Sequence, residues 1–289
     1  MKCDLHVHTV HSGMCTVPVA NRFCRESYNQ PAAVYEKLKG LGMDLVTITD
    51  HDSIDAAEEL RHHADFFLSE EVTCRMPSGT EAHIGVYGIT ERDHVELQRR
   101  REDFLGFLAY VQERHLLFSI NHLFSSLTGK RDWSDYEWFE RAFPCAEVLN
   151  GAMTARVNRR ASEWALATGK PGIGGSDAHA MASVGRAFTV VREARNSKEF
   201  LRGIQSGRSE ALGAAGNWWK LTQDVLSICG SLYRETAWTR PLIPLAAGVP
   251  FVTAAHSAIE VLFADYWFSQ VIVRAGKNPV TCQAWEASI

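Results

Sequence analysis

Six of the twelve histidines stand in short clusters with acids or amides, and each cluster follows an apolar run. The clusters are Asp4-Leu5-His6-Val7-His8, Thr49-Asp50-His51-Asp52, Ala82-His83, Asn121-His122 and Ser176-Asp177-Ala178-His179, joined by Glu71 at the head of a further run. His6 and His8 are two residues apart, so an extended strand puts both rings on one side, within reach of one ion. Imidazoles and carboxylates gathered at strand ends build a multinuclear divalent-metal site. Such ions make water a nucleophile at neutral pH and can hold the oxygens of an ester under attack. His62, His63, His94, His115 and His256 lie on helical or tail segments and read as hydrogen-bonded structural groups.

The elements that would position these residues alternate. Runs at Lys2–Val7, Asp44–Thr49, Glu71–Met76, Ala82–Ile89, Leu116–Ile120, Ala146–Leu149 and Gly172–Gly175 read as strands. Pro31 opens a helix with Val34, Leu38 and Leu41 on one face and Gly42 as its stop. A second helix is expected from about His94 to His115, and a third from Thr154 to Thr168, stopped by Gly169-Lys170-Pro171. This alternation predicts a parallel sheet and a (β/α) barrel with its chemistry at the carboxyl ends of the strands. Phe188–Val191 and Ser197–Ser206 are the last strand and helix of that unit, residues 1–214. Residues 215–289 are rich in tryptophan and carry no ligand cluster. They are expected to form a helical extension that packs on the barrel or on a partner subunit, the surface for any homo-oligomer.

A chain of 289 residues with 46% hydrophobic content can bury a large core. Its net charge of −4 gives no bulk attraction to duplex nucleic acid or anionic lipid, so neither is an expected partner. The seven cysteines are scattered and never spaced Cys-x-x-Cys, which argues against a disulfide framework or zinc ribbon. Met1-Lys2-Cys3-Asp4 leads straight into a strand, and a cytoplasmic location is expected. The apolar stretch Pro241 to Ala264 is interrupted by prolines, His256 and Glu260, making it a poor membrane span.

The ordered set His6-x-His8, Thr49-Asp50-His51, Glu71-Val72-Thr73, His83-Ile84-Gly85, Asn121-His122 and Gly175-Ser176-Asp177-Ala178-His179 resembles the PHP (polymerase and histidinol phosphatase) superfamily. The sequel Val184-Gly185-Arg186-Ala187-Phe188-Thr189 is similar too, and the likeness covers about residues 3 to 213. It implies an α/β fold, a distorted seven-stranded (β/α) TIM-like barrel holding two or three divalent ions (Zn, Mn or Fe). By position, His6, His8, Glu71 and Asp177 would hold one ion. Glu71 would bridge to a second with His83 and His122, and His51 and His179 would serve a third. Asp50 would orient a ligand imidazole. The position aligned with a further third-site ligand holds Met14, flanked by His11 and Cys15.

The implied activity is a metal-dependent phosphoesterase, in which hydroxide held between ions attacks a phosphate ester of a small molecule, nucleotide or short oligonucleotide. Asp50 or His179 is expected to protonate the leaving group. Arg22 and Arg25 in a long first loop over the pocket, with Arg156 and Arg159, are the expected substrate anchors. Two rival readings are an amidohydrolase-type hydrolase and a non-catalytic PHP-like binding module. The first lacks a lysine at a strand end among the clusters, and the second usually loses ligands that are present here.

Overall fold

Met76-Pro77-Ser78-Gly79-Thr80 is a tight turn, closed by Gly79 N to Met76 O at 2.8 Å and Met76 N to Thr80 O at 2.9 Å, with Gly79 at φ +85°. It decides the topology of the larger sheet, because a five-residue link can return a strand only antiparallel to its predecessor. In the computed structural model, which describes residues 1–275, the chain begins with a short strand β1 (Lys2–Cys3). Helices α1 (Pro31–Gly40) and α2 (Ala57–Leu60) follow, then the hairpin β2 (Ser69–Arg75) and β3 (Glu81–Tyr87).

The expected helix from about His94 to His115 is two: α3 (Glu91–Arg100) and α4 (Phe104–Glu113). Thr90 and Asp93 form a capping box at the start of α3, and Asp103 caps α4 through Gly106 N. A second N-cap inside the expected span is therefore what splits it. The chain continues through β4 (Leu117–Ile120), α5 (Trp133–Ala142), β5 (Cys145–Asn150), α6 (Ala155–Ala167), β6 (Gly172–Gly175), β7 (Ala187–Val190), α7 (Ser197–Gln205) and β8 (Glu210–Gly213).

The larger sheet has the order β2-β3-β4-β5-β6 and the smaller β1-β7-β8. Only β4–β5 and β5–β6 pair in parallel; β2–β3 and β3–β4 are antiparallel, so the wholly parallel sheet expected from the alternation is not formed. The expected strand over residues 44–49 makes only isolated bonds. Leu45 N meets Lys2 O at 3.1 Å and Thr49 N meets Val7 O at 3.0 Å on one side. Val46 N meets Asp65 O at 2.9 Å on the other. Single parallel bridges join Val7 to Ala178 and His51 to Glu71. Residues 5–8 thus lie between 46–51 and 176–178, linking the two sheets without a continuous ladder. The fold is mixed α/β.

The main core packs Ile84, Val86 and Ile120 of the sheet against Phe107, Phe139, Phe143 and the wholly buried Trp164. Helix α8 (Trp218–Glu235), a 3₁₀ segment (Ala237–Gly248) and α9 (Val249–Ala275) form a further layer. Ala264 and Val271 of α9 enter the same core, with Trp267 and Phe268 against it. Asp265 of α9 pairs with Arg156 and Arg160 of α6 at 3.0 and 2.8 Å. The outer side of α9 is apolar and exposed at Phe251, Val252, Ile259, Leu262 and Tyr266. Contrary to the sequence expectation, the prolines do not interrupt this stretch. Pro241 and Pro244 sit within the 3₁₀ segment, and Pro250 lies in the first turn of α9, where a missing N–H costs nothing. Ala237–Ile272 is long and apolar enough to cross a membrane by length and composition, and 6% of its most apolar window is buried. Residues 276–289 of the expected extension lie outside the described residues.

Candidate metal centre

Glu71 stands at the middle of the site because the β2 hairpin and the His51 bridge bring strands from both directions to its carboxylate. Its Oε2 is 3.1 Å from His6 Nε2, 3.4 Å from His8 Nε2 and 3.4 Å from His51 Nδ1. Its Oε1 is 3.6 Å from His83 Nδ1 and 3.4 Å from His122 Nε2. Asp177 Oδ1 lies 3.5 Å from His6 Nε2, 3.3 Å from His8 Nε2 and 3.5 Å from His179 Nδ1. All six clustered histidines, Glu71 and Asp177 are therefore brought together. Potential ligand atoms fall into overlapping groups, among them His6–His8–Asp177, His6–Glu71–His122, His51–Glu71–His83 and His8–His51–His179.

The backbone is held in uncommon conformations to achieve this. His122 and Asp177 have φ of +29° and +49°, left-handed values that asparagine, aspartate and histidine tolerate better than other side chains. Asp177 N to His6 O at 2.6 Å and His122 N to Glu147 Oε2 at 2.9 Å secure them. Gly175 matters for another reason: a Cβ there would lie 2.3 Å from His6 Cβ and 2.6 Å from His6 N, so only glycine lets the first strand come this near.

A second layer orients the first. Asn121 Nδ2 donates to Glu71 Oε1 at 2.8 Å and is itself held by Ser119 Oγ at 2.7 Å. Asn150 Nδ2 lies 3.0 Å from Asp177 Oδ2 and 2.9 Å from Glu147 Oε2. Glu147 Oε1 takes the Nδ1 side of His6 at 2.9 Å, which turns the His6 Nε2 lone pair toward Glu71 and Asp177. Glu147 and Asn150 had no place in the sequence expectation. The signal available was an acid on the apolar run Ala146–Leu149, costly to bury without a task.

Asp50, expected to orient a ligand imidazole, reaches His8 only through an intermediary. Ser12 Oγ donates to Asp50 Oδ1 at 2.7 Å and accepts from His8 Nδ1 at 2.9 Å. The other Asp50 bonds come from Thr9 N and Thr9 Oγ1, both at 2.5 Å. Asp50 is wholly buried with both oxygens taken, so it cannot meet a leaving group. Replacing Ser12 by Ala frees the His8 ring to rotate or change tautomer. We expect divalent-metal affinity to fall about 10- to 100-fold, measured by calorimetric titration, with little change in melting of the metal-free protein.

Facing the third cluster, though outside its tight ligand group, is an acid that sequence reasoning missed. Glu26 Oε2 is 3.5 Å from His51 Nε2, and its Oε1 is 3.6 Å from His179 Nε2. The position expected to supply this group, Met14, is 42% exposed and pairs across the loop with Arg25. Neither His11 nor Cys15 joins the ligand groups among the described residues. The Met14–Arg25 pairing, with Glu26 N to Gly13 O at 3.1 Å, delivers Glu26 instead.

Electrostatics favour cations here. Burial opposes charge on Glu71, yet His6, His51 and His83 hold its pKa well below the carboxylate range; Asp177 is depressed likewise by His6, His8 and His179 against the same burial. Burial, followed by the charge of His179, pushes His8 down to about 3, so its ring is neutral. His6 goes well upward despite burial, because Glu71, Asp177 and Glu147 surround it. Burial likewise opposes the shifts at the rim, where His51 and then His179 hold Glu26 down at about 2, and Glu26 raises His179 to about 9. The acids thus favour protons on His6, His122 and His179, while burial leaves His8 and His83 neutral.

The donor set fits divalent ions. His8 Nε2, His83 Nδ1 and His179 Nε2 are buried atoms without a hydrogen-bond partner, although each faces a carboxylate oxygen 3.3 to 3.6 Å away. Two ligands of one tetrahedral ion, each about 2.1 Å from it, are separated by about 3.4 Å. Neutral imidazole mixed with carboxylate suits zinc, manganese or iron. The side open to solvent carries His51, His83, His179 and Glu26, all partly exposed.

The expected anchors lie elsewhere or are engaged. Arg156 is taken by Asp265, Arg159 is exposed on α6, and Arg25 reaches Val10 O and Glu235 at 3.4 Å each. Arg22 is exposed in the loop that carries Glu26.

Known proteins resemble this chain in part of its sequence and in its fold. A PHP-associated family model matches residues 155–209. Solved structures similar in fold include PsfC from Pseudomonas syringae, 17% identical over 82% of this chain and 98% of that one, with a TM-score of 0.57. Weaker likenesses, each with a TM-score of 0.46, are a protein described as a metal-dependent phosphoesterase from Bifidobacterium adolescentis and an amidohydrolase from Chromobacterium violaceum. The former is 14% identical, covering 71% of this chain and 96% of that one; the latter is 15% identical, covering 73% and 97%. No curated protein matches significantly. The matched region spans the Asp177–His179 signature, around which the chain's other clustered imidazoles and Glu71 converge.

Proposed function

We propose that the chain is a divalent-metal-dependent phosphoesterase acting on a small phosphorylated molecule, a nucleotide or a short oligonucleotide. The observation that carries this is the set of partnerless imidazole nitrogens facing ionised carboxylates at ligand-to-ligand spacing, open on one side. His6, His8, Glu71 and Asp177 would hold one ion, Glu71, His83 and His122 a second, and His51, His179 and Glu26 a third. When bound, such ions lower the pKa of water toward about 7 and offset the charge of a phosphoryl group. The two sheets, linked through residues 5–8 and 44–51, are taken as an irregular TIM-like barrel.

The chain's own residues do the rest. Asn121 and Asn150 fix the carboxylates of Glu71 and Asp177, so neither reorganises as charge moves. The Asp50–Ser12 pair keeps the His8 proton on Nδ1 and its lone pair inward. Where it is not committed to the third ion, His179, partly exposed at the mouth beside Glu26, would give a proton to the leaving oxygen. Arg22, on the same loop as Glu26, is the proposed phosphate anchor, with Arg25 available if its bond to Glu235 opens.

The test is hydrolysis of aryl phosphate monoesters and diesters by purified protein with Mn²⁺ or Zn²⁺, with and without chelator. Chelator-sensitive release of phosphate or phenol is expected. Cleavage of amide or lactone substrates alone would contradict the reading. Glu26→Gln should lower bound metal by one ion per chain while the other ions stay. Its third ion should bind at least about 10-fold more weakly, since losing even an outer partner costs that much.

A further inference from the structure

The loop that presents Glu26 has two thiols facing each other across its base. Met14 and Arg25 pair antiparallel, and Cys15 N bonds Cys24 O at 3.0 Å, so the register puts Cys15 opposite Cys24. Burial, followed by the neighbouring Cys15, pushes the Cys24 thiol up to about 12, with Cys229 of α8 a further neighbour; Cys24 Sγ donates to Arg25 O at 3.4 Å. Cys15 is partly exposed, whereas Cys3, Cys74 and Cys145 are wholly buried. The loop tip from 16 to 19 is exposed, and few bonds close its base: Cys15 N to Cys24 O and Glu26 N to Gly13 O. Phe23 against Trp238, with ring centroids 4.9 Å apart, and Arg25 against Glu235 fasten it outwardly to the C-terminal layer.

We propose that Cys15 and Cys24 are a reversible dithiol–disulfide site that fastens the Glu26 loop. The oxidant is a low-molecular-weight disulfide of the glutathione type. The Cys15 thiolate attacks one of its sulfurs, forming a mixed disulfide and expelling one small thiolate. The Cys24 thiolate then attacks the Cys15 sulfur, forming the Cys15–Cys24 bond and expelling the second. The two protons lost by the cysteines end on the two small thiols, and the reagent takes two electrons. Cross-linking the base of the loop removes conformers in which Glu26 swings away from His51 and His179. That consequence for metal rests on the functional reading above; the cross-link itself does not.

The full chain is incubated with oxidised glutathione, alkylated and digested with trypsin without reduction. The expected product joins Phe23-Cys24-Arg25 to the peptide ending at Arg22 through Cys15, with two fewer alkylatable thiols per chain and full reversal by dithiothreitol. Cys24→Ser should abolish the linked peptide and Cys229→Ser should leave it intact. Amide exchange at Glu26 should slow several-fold in the oxidised, metal-free chain. A glutathione adduct persisting on Cys15, a Cys15–Cys229 link, unreacted thiols or unchanged exchange at Glu26 would each overturn the proposal.

Discussion

Glu71→Gln is expected to lower kcat/KM toward the best phosphate ester by on the order of 10³-fold or more, with secondary structure retained. Among the described residues no other side chain touches as many of the proposed ligands: five imidazoles lie within 3.1 to 3.6 Å of its two oxygens. The replacement keeps the size but cannot keep both oxygens. If the amide oxygen accepts from Asn121, the NH₂ faces His6, His8 and His51, where a donor repels cations. Metal content should fall by at least one ion per chain in the same preparation. Circular dichroism and elemental analysis of the variant, beside its kinetics, check the three parts together. Wild-type activity with intact fold and reduced metal would mean that chemistry lies elsewhere.

Saturating divalent metal is expected to raise the melting temperature by roughly 10 °C or more, and chelation to reverse this. An ion at 1,000 times its Kd contributes about 4.1 kcal/mol, and each kcal/mol moves a domain of this size by about 2–4 °C. The physical source is the buried acid cluster. Glu71, Asp177 and Glu147 are all nearly inaccessible, and Glu71 and Asp177 face imidazole nitrogens without hydrogen-bond partners at His8 and His83. Ions replace the protons these acids otherwise demand, so uptake should also release protons into weak buffer. Asp177→Asn should lose much of the thermal shift. Identical melting curves with Mn²⁺ and with chelator would oppose the reading.

Much of the centre could be read from the chain because period-two spacing and apolar runs survive any detail of topology. His6 and His8 share a side whether the strand is regular or, as here, held by scattered bridges. Glu26 could not be read, because its place depends on a loop register that Met14 and Arg25 set across ten intervening residues. Glu147 was hidden for the opposite reason: it sits within an apolar strand and looks like part of the core pattern. The sheet direction was misjudged because the turn at Met76–Thr80 is shorter than any crossover, a local fact that outranks the general alternation of strands and helices. Arg156 looked available because nothing in its own neighbourhood announces Asp265, 109 residues later.

Anomalous scattering from crystals grown with Mn²⁺ or Zn²⁺ addresses the converging ligands without assuming any substrate. Peaks bonded to His8, Asp177 and Glu71, with a further peak between His83 and His122 and another beside Glu26, are the expected result. Electron density in which these side chains keep their places around ordered water alone, at saturating metal and neutral pH, would contradict the account.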